Sequence, residues 1–172
     1  MTLNNFLKLH ENDLRANNLL PLYEQLAEGE IDPNDLTTGQ LSHYLISKGK
    51  NPLEYTQGIV PIACFSEMTF PKDYKLYPNI KIIKQNAFEF VDGMQRFFAA
   101  KGLEEIEMDA FYQCEDLTHL YLPSSIVRIP VGLFTGLPKN RTRQLIIHTP
   151  INSPVWEYCV KWNITHDNLY RY

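Results

Sequence analysis

The sequence predicts an α+β chain, in which a short solenoid of stacked coils with a parallel β-sheet on one face follows an α-helical N-terminal segment. A C-terminal cap closes the solenoid. Three observations carry this prediction. Phenylalanine recurs at one constant interval, at positions 65, 88, 111 and 134, apolar and polar residues alternate within that interval, and residues 1–55 instead carry apolar residues at helical spacing.

The predicted N-terminal segment covers residues 1–55. Leucines and aromatic residues recur at helix-like intervals over residues 3–28, and Pro21 is expected to break or kink that helix. A second helix is predicted over residues 36–49, with Gly49 as its stop. The two helices either cap the solenoid or form a small separate domain, and the short link to the first coil favours packing against it.

The solenoid is predicted over residues 56–172, with about four coils of roughly 23 residues each. Its periodic phenylalanines are expected to stack as an internal ladder, formed by Phe65, Phe88, Phe111 and Phe134. A second ladder is expected from the aliphatic residues five positions earlier, which are Val60, Ile83, Ile106 and Ile129. One coil cannot bury its apolar side alone, so the coils stack and share a core. The register weakens only near "KNRTRQ", where an insertion is predicted.

Within one coil, "LTHLYL" alternates Leu120 and Leu122, expected inside, with His119 and Tyr121, expected outside. This is the pattern of a half-buried strand. At the C-terminal end, "SPVWEYCVKWN" predicts a capping helix that starts near Pro154. The residues at helical spacing in it are Val155, Tyr158, Cys159 and Trp162.

The coil "AFYQCEDLTHLYLPSSIVRI" resembles the BspA-type leucine-rich repeat. The matching residues are Ala110, Phe111, Cys114, Leu117, Leu120, Leu122, Pro123, Ile126 and Ile129. Tyr77 and Ala100 replace the proline in the two earlier coils, and the end of the chain resembles the closing segment typical of the family. The likeness covers about residues 57–165 and implies a leucine-rich-repeat solenoid. Members of the family often carry export signals and act in surface adhesion.

Bulk composition is that of an ordinary globular protein, with 44% hydrophobic and 21% charged residues. The N-terminus does not resemble a secretory signal, and no apolar run approaches the roughly 20 residues that span a bilayer. We therefore expect a cytosolic protein without membrane contact. The net charge of −4 makes nucleic-acid binding unlikely, and three scattered cysteines argue against disulfides and zinc.

Catalysis and cofactors are not expected, because none of the five histidines has a recognised metal spacing and no phosphate-binding glycine loop is present. Cys114 shares its position in the repeat with apolar residues, so it is predicted to be core and not a nucleophile. The alternative is an enzyme or metal protein that uses His119 and His148. Metal analysis and the distance between the two imidazoles decide between them.

The outward strand positions form the predicted partner-binding site. They are Asp73, Lys75, Arg96, Phe98, His119 and Tyr121, followed by Thr142 and Gln144 or, if the last coil shifts through its insertion, by Ile146 and His148. A row this aromatic on a concave sheet is typical of binding hot spots. The alternative is that the chain itself or a second copy covers the rings, so an oligomer stays possible.

These observations predict a non-enzymatic module that binds a protein partner, as an intracellular adaptor or inhibitor. The alternatives are a phage- or mobile-element-encoded inhibitor of a host defence protein, a surface-adhesion repeat protein, and a nucleic-acid contact through a basic insertion. That insertion, Lys139, Arg141 and Arg143, would meet an anionic partner or is an ordinary solvated loop.

Overall fold

The computed structural model describes residues 51–55, 58–131, 133 and 145–170. The two predicted N-terminal helices lie outside the described residues, and so do Phe134, the basic residues Lys139, Arg141 and Arg143, and Gln144. The boundary between helical segment and solenoid near residue 55 therefore stays a prediction. A short 3-10 helix, Pro52–Tyr55, is the first element described.

The described chain forms two parallel sheets. The larger sheet contains β2 (Asp73–Lys75), β4 (Arg96–Phe98), β6 (His119–Tyr121), β7 (Ile146–His148) and β8 (His166–Asp167), paired in that order. The smaller contains β1 (Ile59–Val60), β3 (Ile82–Ile83) and β5 (Glu105–Ile106). The sequence predicts one sheet. The second arises because three residues of the aliphatic ladder, Val60, Ile83 and Ile106, pair through their backbones as well as packing their side chains.

Strand register reproduces the sequence period and locates the insertion. Asp73 pairs with Arg96, and Arg96 with His119, each step spanning 23 residues as predicted. His119 then pairs with Ile146 and Tyr121 with His148, so this coil is longer than the others. The shifted register is confirmed. The strand position that the unshifted register assigns to Gln144 belongs to His148.

The phenylalanine ladder forms the centre of the core. Phe65 stacks on Phe88 at 5.2 Å between ring centroids, and Phe88 stacks on Phe111 at 5.3 Å with the planes only 7° apart. Phe97, which points inward from β4, packs edge-on against both Phe88 and Phe111. Phe88, Phe97 and Phe111 are buried. The ladder is therefore confirmed for its three described members.

The turn around each ladder phenylalanine places non-glycine residues in the left-handed backbone region. Two residues before the phenylalanines these are Ala63, Asn86 and Asp109, and two residues after them Glu67, Phe90 and Gln113. Backbone bonds then join one coil to the next, for example from the Phe65 N–H to the Ala87 carbonyl and from the Phe88 N–H to the Ala110 carbonyl, both at 2.8 Å. The same turn geometry thus repeats in each coil.

The predicted capping helix is present as α1 (Pro154–Trp162). Ser153 caps its start by accepting a bond from the Trp156 N–H at 3.1 Å, and Asn163 ends it in the left-handed conformation. Val155 and Cys159 are buried, whereas Trp162 is exposed. After α1 the chain returns to the sheet as β8, which the sequence analysis did not predict.

Candidate partner-binding face

The outward residues of β2, β4, β6 and β7 form a continuous row of stacked groups, which we call the ring row: Lys75, Phe98, Tyr121 and His148. The rings of Phe98 and Tyr121 stack at 4.4 Å and 11°, and those of Tyr121 and His148 at 4.2 Å and 17°. The Lys75 ammonium lies 6.0 Å from the centre of the Phe98 ring, at the limit of a cation–π contact. Parallel register makes this stack, because it brings side chains that are one coil apart in the sequence side by side.

The ring row is accessible in its middle and buried at one end. Phe98 and Tyr121 are half-buried and Lys75 is exposed, while the alternating residues Phe97 and Leu120 face the core. His148 is only 5% exposed, because Tyr121, His119 and Asp167 surround its ring. The expectation that His148 faces solvent is therefore wrong. It forms the buried end of the ring row.

A second row of polar groups runs beside the ring row. Arg96 donates two hydrogen bonds to the carboxylate of Asp73 on the neighbouring strand, from Nε to Oδ1 and from Nη2 to Oδ2. The bond to Asp73 and its negative charge raise the pKa of Arg96 above its ordinary value. Both side chains are about half exposed, so this bidentate pair presents a fixed guanidinium edge to solvent.

His119, His148 and Asp167 form a hydrogen-bonded chain. The Nδ1 atom of His148 lies 2.6 Å from Oδ1 of Asp167, and its Nε2 atom lies 2.8 Å from Nδ1 of His119. The carboxylate can only accept, so His148 donates to it from Nδ1. When both rings are neutral, Nε2 of His148 accepts the Nδ1–H of His119, and the remaining lone pair lies on Nε2 of His119.

Burial is the main cause that holds the pKa of His119 below its ordinary value of 6.5. The charges of His148 and Arg96 act in the same direction, and Asp167 opposes them. The sequence analysis missed Asp167. It is a lone aspartate in "NITHDN", and only the pairing of β8 with β7 brings it to His148.

The two imidazoles meet the proximity condition for an enzyme or metal protein. Among the described residues, however, no group of three or more His, Cys, Asp or Glu residues could hold a metal ion. The cysteine side chains are buried, as predicted for Cys114, whose Sγ atom contacts the Phe88 carbonyl at 2.8 Å. Burial raises the pKa of Cys159 to about 11, far from that of a thiolate nucleophile.

Of the predicted site residues, the structure brings Asp73, Lys75, Arg96, Phe98, His119, Tyr121 and His148 onto one sheet. Comparison with known families agrees with this repeat architecture. Residues 57–162 match the family described as "BspA type Leucine rich repeat region (6 copies)". The chain belongs to this family.

Leucine-rich repeats generally mediate protein interactions, so membership supports a protein-interaction module. No curated protein and no solved structure matches the chain. The kind of partner that this leucine-rich-repeat protein binds is therefore inferred from the chemistry of the protein's exposed side chains. None of the helices in the described ranges is both long and apolar enough to cross a bilayer.

Proposed function

We propose that the chain is a non-enzymatic adaptor or inhibitor that binds a protein partner through the outward face of β2, β4 and β6. The observation that carries the proposal is the accessible stack of Phe98 on Tyr121, flanked by Lys75 and by the Asp73–Arg96 pair. Aromatic rings and arginines are enriched in binding hot spots, and aromatic rings offer large contact areas at little cost in conformational entropy.

The stack is already ordered before any partner arrives. Each ring is fixed by its neighbour and by a strand whose alternate residues, Phe97 and Leu120, are fully buried. A partner therefore does not need to immobilise these side chains, which is one of the costs of association. The buried thiols support a reducing, cytosolic location as part of the proposal.

The double substitution Phe98→Ala with Tyr121→Ala tests the proposed face. A partner captured from the native host by the full chain and identified by mass spectrometry is titrated by calorimetry against both proteins. We expect the binding free energy to become less favourable by at least about 2 kcal/mol, which is the loss typical when a hot-spot aromatic residue is replaced by alanine. An unchanged dissociation constant would contradict the proposal that the partner binds this face.

The matched control is Phe90→Ala with Tyr112→Ala. These two rings also lie in adjacent coils, with their centroids 5.7 Å apart, but they belong to the turns and not to the strand face. We expect this variant to bind like the wild type. The other possible occupant of the ring row is a second copy of the chain, which sedimentation of the wild type alone tests. A wild-type dimer that dissociates in the double variant Phe98→Ala with Tyr121→Ala would assign the ring row to self-association.

A further inference from the structure

A hollow of about 340 Å³ lies beside the ring row, where the chain leaves β2 and β4. Its apolar lining residues are Leu76, Pro78, Ala99 and Ala100, and the ring of Phe98 borders it. The hollow is partly open to solvent. Because Phe98 belongs to both, a ligand seated in the hollow also touches the ring row.

The hollow follows from a local departure of the sequence from its own repeat. The two residues after β6 are Leu122 and Pro123, whereas the corresponding residues after β4 are Ala99 and Ala100. The backbone is held in the same way in both coils, with the Ala99 N–H bonded to the Tyr121 carbonyl and the Leu122 N–H to the His148 carbonyl. Two methyl groups fill less space on this backbone than a leucine and a proline, and both alanines line the hollow.

The rim of the hollow is basic. Lys75 and Lys101 are exposed and line it, and among the described residues that line it none is acidic. Asp73 lies two residues before Lys75 on β2, and both of its carboxylate oxygens accept hydrogen bonds from Arg96. The described lining of the hollow therefore contributes positive charge, on a chain whose overall net charge is −4.

Volume and shape select the kind of ligand. A hollow of this size lies at the lower end of the roughly 300–1,000 Å³ typical of small-molecule sites, and its open side leaves much of a drug-sized ligand in water. One large apolar side chain fits it, with the rest of its chain lying across the ring row. This geometry favours a protein segment over a free metabolite.

We propose that the hollow is a docking site for a single aromatic or long aliphatic side chain of the partner, flanked in the partner's sequence by glutamates or aspartates. The apolar side chain packs on Ala99, Ala100 and Phe98, and the carboxylates meet Lys75 and Lys101. The proposal rests on the proposed protein-binding function and specifies its partner as an acidic segment with one apolar anchor.

The test uses the full chain labelled with ¹⁵N and the peptide acetyl-Glu-Glu-Phe-Glu-Glu-amide, whose blocked ends leave only side-chain carboxylates. We expect saturable amide shifts centred on residues 76–77 and 98–101. The same peptide with Ala for Phe should bind about tenfold or more weakly, because the anchor is lost, and the peptide with Lys for Glu should not saturate. Equal binding of the Ala peptide, or the absence of saturable shifts, overturns the proposal.

Variants of the protein locate the site. Lys75→Glu with Lys101→Glu changes only exposed side chains and should weaken binding about tenfold, whereas Lys72→Glu, exposed but not lining the hollow, should leave it unchanged. Ala100→Leu should fill the hollow and also weaken binding. If that variant does not fold, which a thermal melt reveals, the lysine pair still decides, and retained affinity in the double reversal overturns the proposal.

The proposal that a partner binds the strand face and the proposal that its side chain docks in the hollow can be tested separately. A captured protein partner that loses affinity in Tyr121→Ala but binds Lys75→Glu with Lys101→Glu normally would overturn the hollow and keep the strand face. A partner insensitive to Tyr121→Ala and to Phe98→Ala would overturn the strand face, and with it the partner assignment that the hollow rests on.

Discussion

His148 shows how one residue changes role between the repeat pattern and the folded chain. Its register position is outward, opposite Tyr121, but α1 and β8 bring Asp167 to its other nitrogen and close the ring off from solvent. A buried imidazole is tolerated here because both of its ring nitrogens have partners. The histidine stacks on the accessible Tyr121 at 4.2 Å and forms the buried end of the ring row.

His119 is expected to make stability depend on pH. Its folded pKa lies below the ordinary 6.5, so the unfolded chain binds more protons than the native one in this range. The stabilising effect is complete above the unfolded value and is lost as pH falls through the folded pKa. The physical reason is that burial disfavours the charged imidazolium, and the charges of His148 and Arg96 act in the same direction. Urea unfolding between about pH 8 and about pH 5 should show a falling free energy.

Two variants separate this effect from general acid sensitivity. His119→Gln keeps an amide donor for Nε2 of His148 but cannot titrate, so it should flatten the pH profile. His166→Gln is the control, since that ring contacts the Ile164 carbonyl and no second imidazole. If His119→Gln kept the slope of the wild type, the imidazole pair would not be its source.

At the scale of the turn, backbone conformation and residue type disagree at Ala63 in the first coil. Ala63 has φ 50°, and its counterparts one and two coils later are Asn86 and Asp109. Asparagine and aspartate tolerate the left-handed region, whereas alanine incurs a steric cost of about 1–2 kcal/mol. At this one position of the repeat, the first coil therefore carries strain that the next two coils avoid.

Ala63→Gly should stabilise the protein by about 0.5–1 kcal/mol, because the relief of strain exceeds the greater flexibility of glycine in the unfolded chain. Asn86→Gly is the matched control and should bring no gain, as Asn86 tolerates its φ of 58° and donates a 2.7 Å bond to Glu89. Thermal melts of the two variants compare them. A lower melting temperature for Ala63→Gly would contradict the assignment of strain.

At the scale of the whole molecule, the phenylalanine ladder is expected to make the coils unfold together. Phe88 is fully buried between Phe65 and Phe111, so Phe88→Ala should lower the free energy of unfolding by about 3–5 kcal/mol. Phe90→Ala removes the same ring from an exposed position and should cost far less. Urea titration followed by circular dichroism measures both, and similar losses for the two variants would argue against a central ladder.

The parts of the fold that repeat could be predicted from the sequence, and the parts that occur once could not. Phe65, Phe88 and Phe111 reveal the period, and the period gives the alignment of β2, β4 and β6. The strands of the smaller sheet are two residues long, too short for an alternating pattern to reveal. Asp167 joins the site through β8, which pairs outside the period, so no spacing rule leads to it.

The candidate site divides in the same way. The outward residues Lys75, Arg96, Phe98 and Tyr121 follow from alternation within the repeat. The hydrogen-bonded histidines depend on the length of the insertion before β7, and the hollow depends on two alanines that look unremarkable in sequence. Only the structure shows that Ala99 and Ala100 line the hollow.

The constant register of β2, β4 and β6 also bears on how such a chain can change over generations. A coil is bonded to its neighbours through the same backbone atoms each time, so a stretch of one coil copied or lost in the gene would re-form the same joints. Each copy would add one outward pair, free to mutate while its inward residues stay constrained. Duplication and drift of single coils would thus give new surfaces without a new fold.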